Sequence, residues 1–228
     1  METFFDRLHA RARASGPLHR LAIISRILLA LAFIPTGMVK LLGQRFTLMS
    51  PDTAVGGFFE AMYQTGFYWN FLGLAQVMAG VLLLLPWTAT LGAAVTFPLV
   101  LNIFLVTVSV GFRGTPFVTG GMLLAATFLV CWDYHRLKAI IWPAAAPAVG
   151  GIGGIDSPEA PVIGRLEMAG YVIGTMCGLG VFTALRSLIP SETVIPLLVV
   201  GGAAGLMVLA AWIREATTQG TRAHRHLR

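Results

Sequence analysis

Runs of apolar residues long enough to cross a bilayer alternate along this chain with short stretches that carry most of its charge. A hydrocarbon core of about 30 Å takes about 20 apolar residues at a rise of about 1.5 Å each. Six runs meet that length: Leu21 to Leu42, Phe67 to Leu85, Ala89 to Val110, Phe117 to Tyr134, Leu166 to Leu185 and Val194 to Ile213. They predict an all-α polytopic membrane protein, a four-helix transmembrane bundle followed by a C-terminal transmembrane hairpin. The connection Pro86-Trp87-Thr88 is so short that the second and third helices must form an antiparallel hairpin. The first loop, Gly43 to Gly66, is long, and from Gly56 to Gln64 its apolar residues recur at helical spacing. Two readings fit this loop: a short interfacial helix over the outer mouth of the bundle, or a surface loop sunk into the headgroups.

The helical period is lost between Pro143 and Pro161, where Pro, Ala and Gly dominate. Residues 143–161 therefore read as a cytoplasmic linker. It separates a four-helix unit with a basic N-terminal arm, residues 1–142, from a hairpin with a basic tail, residues 162–228. No internal repeat relates the two. In the hairpin Gly170, Gly174 and Gly178 recur every four residues, and Gly201 and Gly205 stand in the partner helix. Such spacing lets helix backbones approach closely. The face it makes suits packing within the hairpin, against the first four helices, or against a second copy of the chain in a homo-oligomer.

Composition agrees with lipid as the main solvent: 56% of residues are hydrophobic and 11% charged, against about 25% charged in soluble domains. The net charge of +6 does not call for nucleic acid, because the basic residues lie mostly outside the apolar runs, at the chain ends and in one loop. With the N-terminus inside, Arg7, Arg11, Arg13, Arg20, Arg136, Lys138, Arg165, Arg214, Arg222, Arg225 and Arg228 fall on the cytoplasmic side, while Lys40, Arg45, Arg113 and Arg186 fall outside. The positive-inside rule thus predicts both termini in the cytoplasm and an even number of spans. The first apolar run is too long for a cleavable signal, so it is expected to stay as an anchor. Cys131 and Cys177 each lie alone in an apolar run and offer neither a disulfide framework nor a zinc site.

Ionisable and amide side chains within the spans are the candidates for function, since burying them in lipid is costly without a partner or a cavity. Arg26, near the inner start of the first helix, and Asp133, near the inner end of the fourth, are at one level and suit a structural ion pair. Arg26 snorkelling to the headgroups, with Asp133 already in interfacial water, is the plainer alternative. Lys40 stands fourteen residues, roughly 21 Å, further along the first helix, at the outer mouth. Glu60 is within reach of Lys40 from the loop, and Arg113 approaches from the third-to-fourth connection. Two readings fit these cations: a pocket for an anion or a carbonyl, or ordinary boundary lysine and arginine, which is the plainer one. Gln76 and Asn102, on adjacent helices, are expected to face one cavity; as neutral amides they suit the carbonyl oxygens of a quinone-like headgroup better than proton relay. Bonding between helices is the plainer role for both. No Ser-His-Asp set, metal-spaced His pair or P-loop is present, so neither catalytic residues nor a metal site is predicted.

The first helix reads Arg26-Ile-Leu-Leu-Ala-Leu-Ala-Phe-Ile-Pro-Thr-Gly37-Met-Val-Lys40-Leu-Leu, and the second Gly73-Leu-Ala-Gln76-Val-Met-Ala-Gly80 through Pro86, followed by Thr90-Leu-Gly92-Ala. Over roughly residues 20–140 this resembles the DoxX family of small membrane proteins. The resemblance implies a four-helix bundle in the bacterial inner membrane. It also implies kinship with subunits of thiosulfate:quinone oxidoreductase and with membrane partners of thiol and oxidative-stress enzymes. Members of that family commonly carry Glu where Gln76 stands, so a titratable carboxylate role is not expected here. The final hairpin lies outside the family's four-helix pattern. The leading expectation is an accessory subunit that binds a quinone or a similar lipid-like molecule and serves a redox partner. A non-catalytic assembly scaffold and a small-solute transporter or channel are the alternatives.

Overall fold

The computed structural model describes residues 9, 11–134, 136–137, 163–185 and 190–225, the last eight of these by backbone alone. The linker expected over residues 143–161 lies outside them, as do Arg7, Lys138, Arg186 and Arg228. Seven α-helices run along the described residues: α1 Gly16–Leu41, α2 Ala54–Gln64, α3 Phe67–Leu84, α4 Ala89–Ser109, α5 Thr115–Trp132, α6 Arg165–Leu185 and α7 Val194–Arg225, the last preceded by a 3-10 turn at Ser191–Thr193. No strand occurs among the described residues. All but α2 are long and apolar enough to cross a membrane. This is a multi-pass, all-α membrane protein.

The chain divides into two compact units, Met1–Pro161 and Val162–Arg228. In the first, α1 packs on α3 and α5, and α4 packs on α3 and α5, which closes a four-helix bundle; α2 rests on α3. The helix faces are sorted for a lipid solvent. On α3 the bulky Phe71, Leu74, Met78 and Val81 are exposed, while Gly73, Gln76, Ala79, Gly80 and Leu83 are buried. Lipid tails are as apolar as Leu, so burial by itself does little to join these helices, and close backbone packing with a few hydrogen bonds does more. Gly37 and Gly73 make the tightest crossing. A Cβ on Gly37 would lie 2.7 Å from the Gly73 carbonyl oxygen, and one on Gly73 2.6 Å from the Gly37 carbonyl oxygen. Gly92 is likewise pressed on the backbone of Leu82 and Leu83 across the hairpin. Between α4 and α5, the buried hydroxyls of Thr107 and Thr119 bond at 3.0 Å.

The long first loop resolves to a helix. Thr53 caps α2, its hydroxyl accepting the Gly56 amide at 3.0 Å, which satisfies one of the free amides of the first turn. In the second unit α6 and α7 form a hairpin. A Cβ on Gly170 would meet the Val208 side chain at 2.6 Å and the Ala204 carbonyl oxygen at 2.9 Å. Of the three uses open to the glycine stripe, Gly170 serves packing within the hairpin. Gly174 makes ordinary contact with the Ala204 side chain. The buried Glu167 carboxylate clasps the same two helices, accepting from Trp212 Nε1 at 2.8 Å and from the Tyr171 hydroxyl at 3.2 Å.

Candidate functional site

The Gly37–Gly73 crossing decides which polar groups meet. Thr36, Gly37 and Lys40 lie on one face of α1, and Trp69, Gly73 and Gln76 on the facing side of α3, each set at the three- and four-residue spacing of a helix face. With the backbones this close, Lys40 is only 8% exposed and Gln76 6%. Lys40 Nζ donates to Gln76 Oε1 at 2.7 Å and, more weakly, to the Thr36 carbonyl at 3.4 Å. The ammonium also lies 4.7 Å from the centre of the Phe46 ring and 5.5 Å from that of Trp69. Ring faces of negative potential stabilise a desolvated cation. Trp69 is itself fixed by its indole N–H, which donates to the Gln44 carbonyl at 3.0 Å.

Above this group sits a lid built from α2. Phe59 touches Phe46 at 5.1 Å and Phe112 of the α4–α5 turn at 6.2 Å. On the surface, Arg45 holds Glu60 by two hydrogen bonds of 2.8 and 3.0 Å and stacks over Tyr63 at 4.5 Å. Hydrogen bonding from Arg45 lowers the Glu60 carboxyl below its ordinary value of 4.5 and in turn raises Arg45. A depressed carboxyl stabilises the closed lid above its ordinary range, and that contribution is lost as pH falls through the lowered value. Hydrogen exchange of residues 54–64, taken relative to its intrinsic rate at each pH, is therefore expected to quicken as pH falls through the lowered carboxyl value. Glu60→Gln should show the same quickening at neutral pH; an acid-insensitive lid would contradict the latch.

The opposite end of the bundle holds a second polar cluster. Arg26 Nη2 donates to Asp133 Oδ2 at 3.2 Å, and Arg13 Nη1 lies 3.7 Å from Oδ1. Asp133 is buried, with 3% of its side chain exposed. Arg13 also stacks 4.8 Å over the Trp132 ring, and His9 Nε2 lies 2.8 Å from the Trp132 carbonyl oxygen. Arg136 donates to the Thr90 hydroxyl at 3.2 Å.

Several expectations change here. Gln76 and Asn102 do not share a cavity. Asn102 stands two residues past buried Val100, about 200° round α4, and is exposed. Glu60 is taken by Arg45 and so latches the lid, where a contact with Lys40 was expected. Arg113 is exposed at the rim, in the turn beside Phe112. Arg26 and Asp133 do come together, joined by Arg13. Phe46, Trp69, Arg45 and Arg13 also belong to these clusters, beyond the residues that depth along the spans points to. Trp69 carried a signal, since it shares the spacing of Gly73 and Gln76. The Arg45–Glu60 pair spans a loop whose course the sequence pattern does not fix.

The arrangement offers hydrogen-bond donors and a positive charge behind an aromatic lid. No metal-binding group of His, Cys, Asp and Glu exists among the described residues. A curated relative, the uncharacterized protein YwoB of Bacillus subtilis (strain 168), is 37% identical over 87 residues, 36% of this chain and 56% of the relative. The chain thus spans just over half of that relative's length. No family model matches the chain, and no solved structure matches it.

Proposed function

We propose that the Lys40 end of the bundle is a binding site for the carbonyl headgroup of a quinone or a similar lipid-like molecule. In this reading the chain is an accessory subunit of a redox system in the bacterial inner membrane. The observation that carries the proposal is Lys40, a residue only 8% exposed, whose ammonium donates to the neutral Gln76 carbonyl and lies against two ring faces. A ligand carbonyl of similar polarity replaces Gln76 Oε1 as acceptor, and the freed amide then donates to the ligand through Nε2. Phe46, Phe59 and Trp69 supply aromatic surface for a flat ring. Arg113 shapes the rim, and Asn102, on the exposed face of α4, has no part in the site.

The resemblance to the DoxX family supports the redox reading, and the basic residues support a direction. Arg13, Arg20, Arg26 and Arg136 gather at the Asp133 end, against Lys40, Arg45 and Arg113 at the other. This supports a threading with the Asp133 end and both termini in the cytoplasm and the lid outside.

The test is the quinone content of protein purified from the membrane, measured per chain against the surrounding lipid. The charged hydrogen bond is expected to hold the ligand by about 1.5–3 kcal/mol, so Lys40→Met with Gln76→Leu should lower retention by about tenfold or more. Asn102→Leu should leave it unchanged. Quinone no richer in the wild-type protein than in its lipid extract, or unmoved by the double substitution, would count against the site.

A further inference from the structure

Among the described residues, Arg13, Arg26 and Arg136 gather at the Asp133 end around that one carboxylate. Arg13 and Arg26 share one carboxylate, at 3.7 and 3.2 Å, and the third guanidinium, Arg136, bonds only to the neutral Thr90 hydroxyl among its described partners. Arg13 and Arg136 both lie close enough to Arg26 to repel it. Arg26 Nε is buried without a hydrogen-bond partner. Like charges are gathered here at the cost of mutual repulsion, and Asp133 can oppose only one of them.

The level of the cluster matters as much as its charge. Asp133 caps the end of α5, Arg136 follows it, and Thr90 stands in the first turn of α4, so these groups sit where helices of the bundle leave the hydrocarbon. Trp87, 75% exposed, precedes Thr90, as an indole does at the headgroup level. Leu91, adjoining Thr90 and 56% exposed, opens the apolar outer face of α4 along which an acyl chain can lie. Arg13 keeps 34% of its side chain exposed, and Arg136 is exposed.

We infer that Arg13, Arg26 and Arg136 form a binding site for the phosphodiester of an anionic phospholipid, seated between the start of α1, the start of α4 and the end of α5. Guanidinium forks match phosphate oxygens and give up water readily. Basic pockets between transmembrane helices bind anionic headgroups by the same means. Arg13 and Arg136 supply the outward-facing forks, and Arg26, anchored on Asp133, supplies the charge behind them. This site is independent of the one at Lys40.

The experiment uses the full chain in detergent, with phosphatidylglycerol, phosphatidylcholine or inorganic phosphate added. Phosphatidylglycerol is expected to raise Tm and to be retained through delipidation, whereas phosphatidylcholine and inorganic phosphate do neither. Each arginine near the surface contributes about fivefold in affinity, so Arg13→Gln with Arg136→Gln should weaken phosphatidylglycerol binding by about twenty-five-fold. Arg113→Gln, at the opposite end, should not weaken it. Equal response of the wild-type protein to the two lipids overturns the site with no variant needed. Equal lipid binding by the double variant, or an equal loss in Arg113→Gln, also overturns it. A shift produced as fully by inorganic phosphate assigns the site to a free anion and overturns the lipid.

Discussion

Asp133→Ala is expected to destabilise the four-helix unit by about 3 kcal/mol. That figure is the low end of the cost of orphaning one partner of a buried ion pair, because Arg26 keeps 20% of its side chain exposed and can still reach water. The loss should be visible as a lower Tm and as faster proteolysis of the purified protein. The companion result separates charge from packing. In Arg26→Leu with Asp133→Leu no charge is stranded between those two positions, and stability should return most of the way to wild type. If the single and double variants fall equally, the pair contributes shape only.

Gly73→Val should have an effect at least as large, by a different mechanism. The first side-chain carbon would overlap the Leu41 amide nitrogen and lie 2.6 Å from the Gly37 carbonyl oxygen. Both obstacles are backbone, so no rotamer change relieves them, and α1 must move away from α3. Overpacking of this kind costs about 1–3 kcal/mol even where side chains can yield, so a loss of about 3 kcal/mol or more is expected, together with loss of the Lys40–Gln76 bond. Gly121→Val is the control, since a Cβ there meets nothing within 4 Å. Monodisperse yield and Tm should fall for the first and hold for the second. Equal behaviour would show that the crossing is not as tight as described.

The spans were legible because lipid imposes a length and a composition on every helix that crosses it. Leu166 to Leu185 and Val194 to Ile213 fall within α6 and α7, and Phe67 to Leu85 is α3 to within one residue. The start of α1 at Gly16 was not legible, since Arg20 and His19 interrupt the apolar run while the helix continues through them. Depth along each helix was also readable, which is why Arg26 was set level with Asp133. Rotation was not. Asn102 and Gln76 stand in adjacent spans, yet buried Ala93, Thr96 and Val100 fix the inward face of α4 and turn Asn102 outward. The register between helices was equally hidden. It follows from which glycines meet, and Gly37 with Gly73 is one pairing among many that the sequence allows. The lid lay further from reach, because its latch joins Arg45 to Glu60 across a turn governed by the Thr53 cap.

The central claim is that the buried Lys40 ammonium holds the carbonyl of a lipid-like ligand in place of Gln76. Infrared difference spectroscopy of the purified protein, loaded with a quinone labelled with carbon-13 at one carbonyl, tests it most directly. A carbonyl bonded to the ammonium is expected to absorb at distinctly lower frequency than the same quinone in lipid, with the shift abolished in Lys40→Met and retained in Asn102→Leu. A carbonyl band identical to that of the free quinone, or one unaffected by Lys40→Met, would contradict the account.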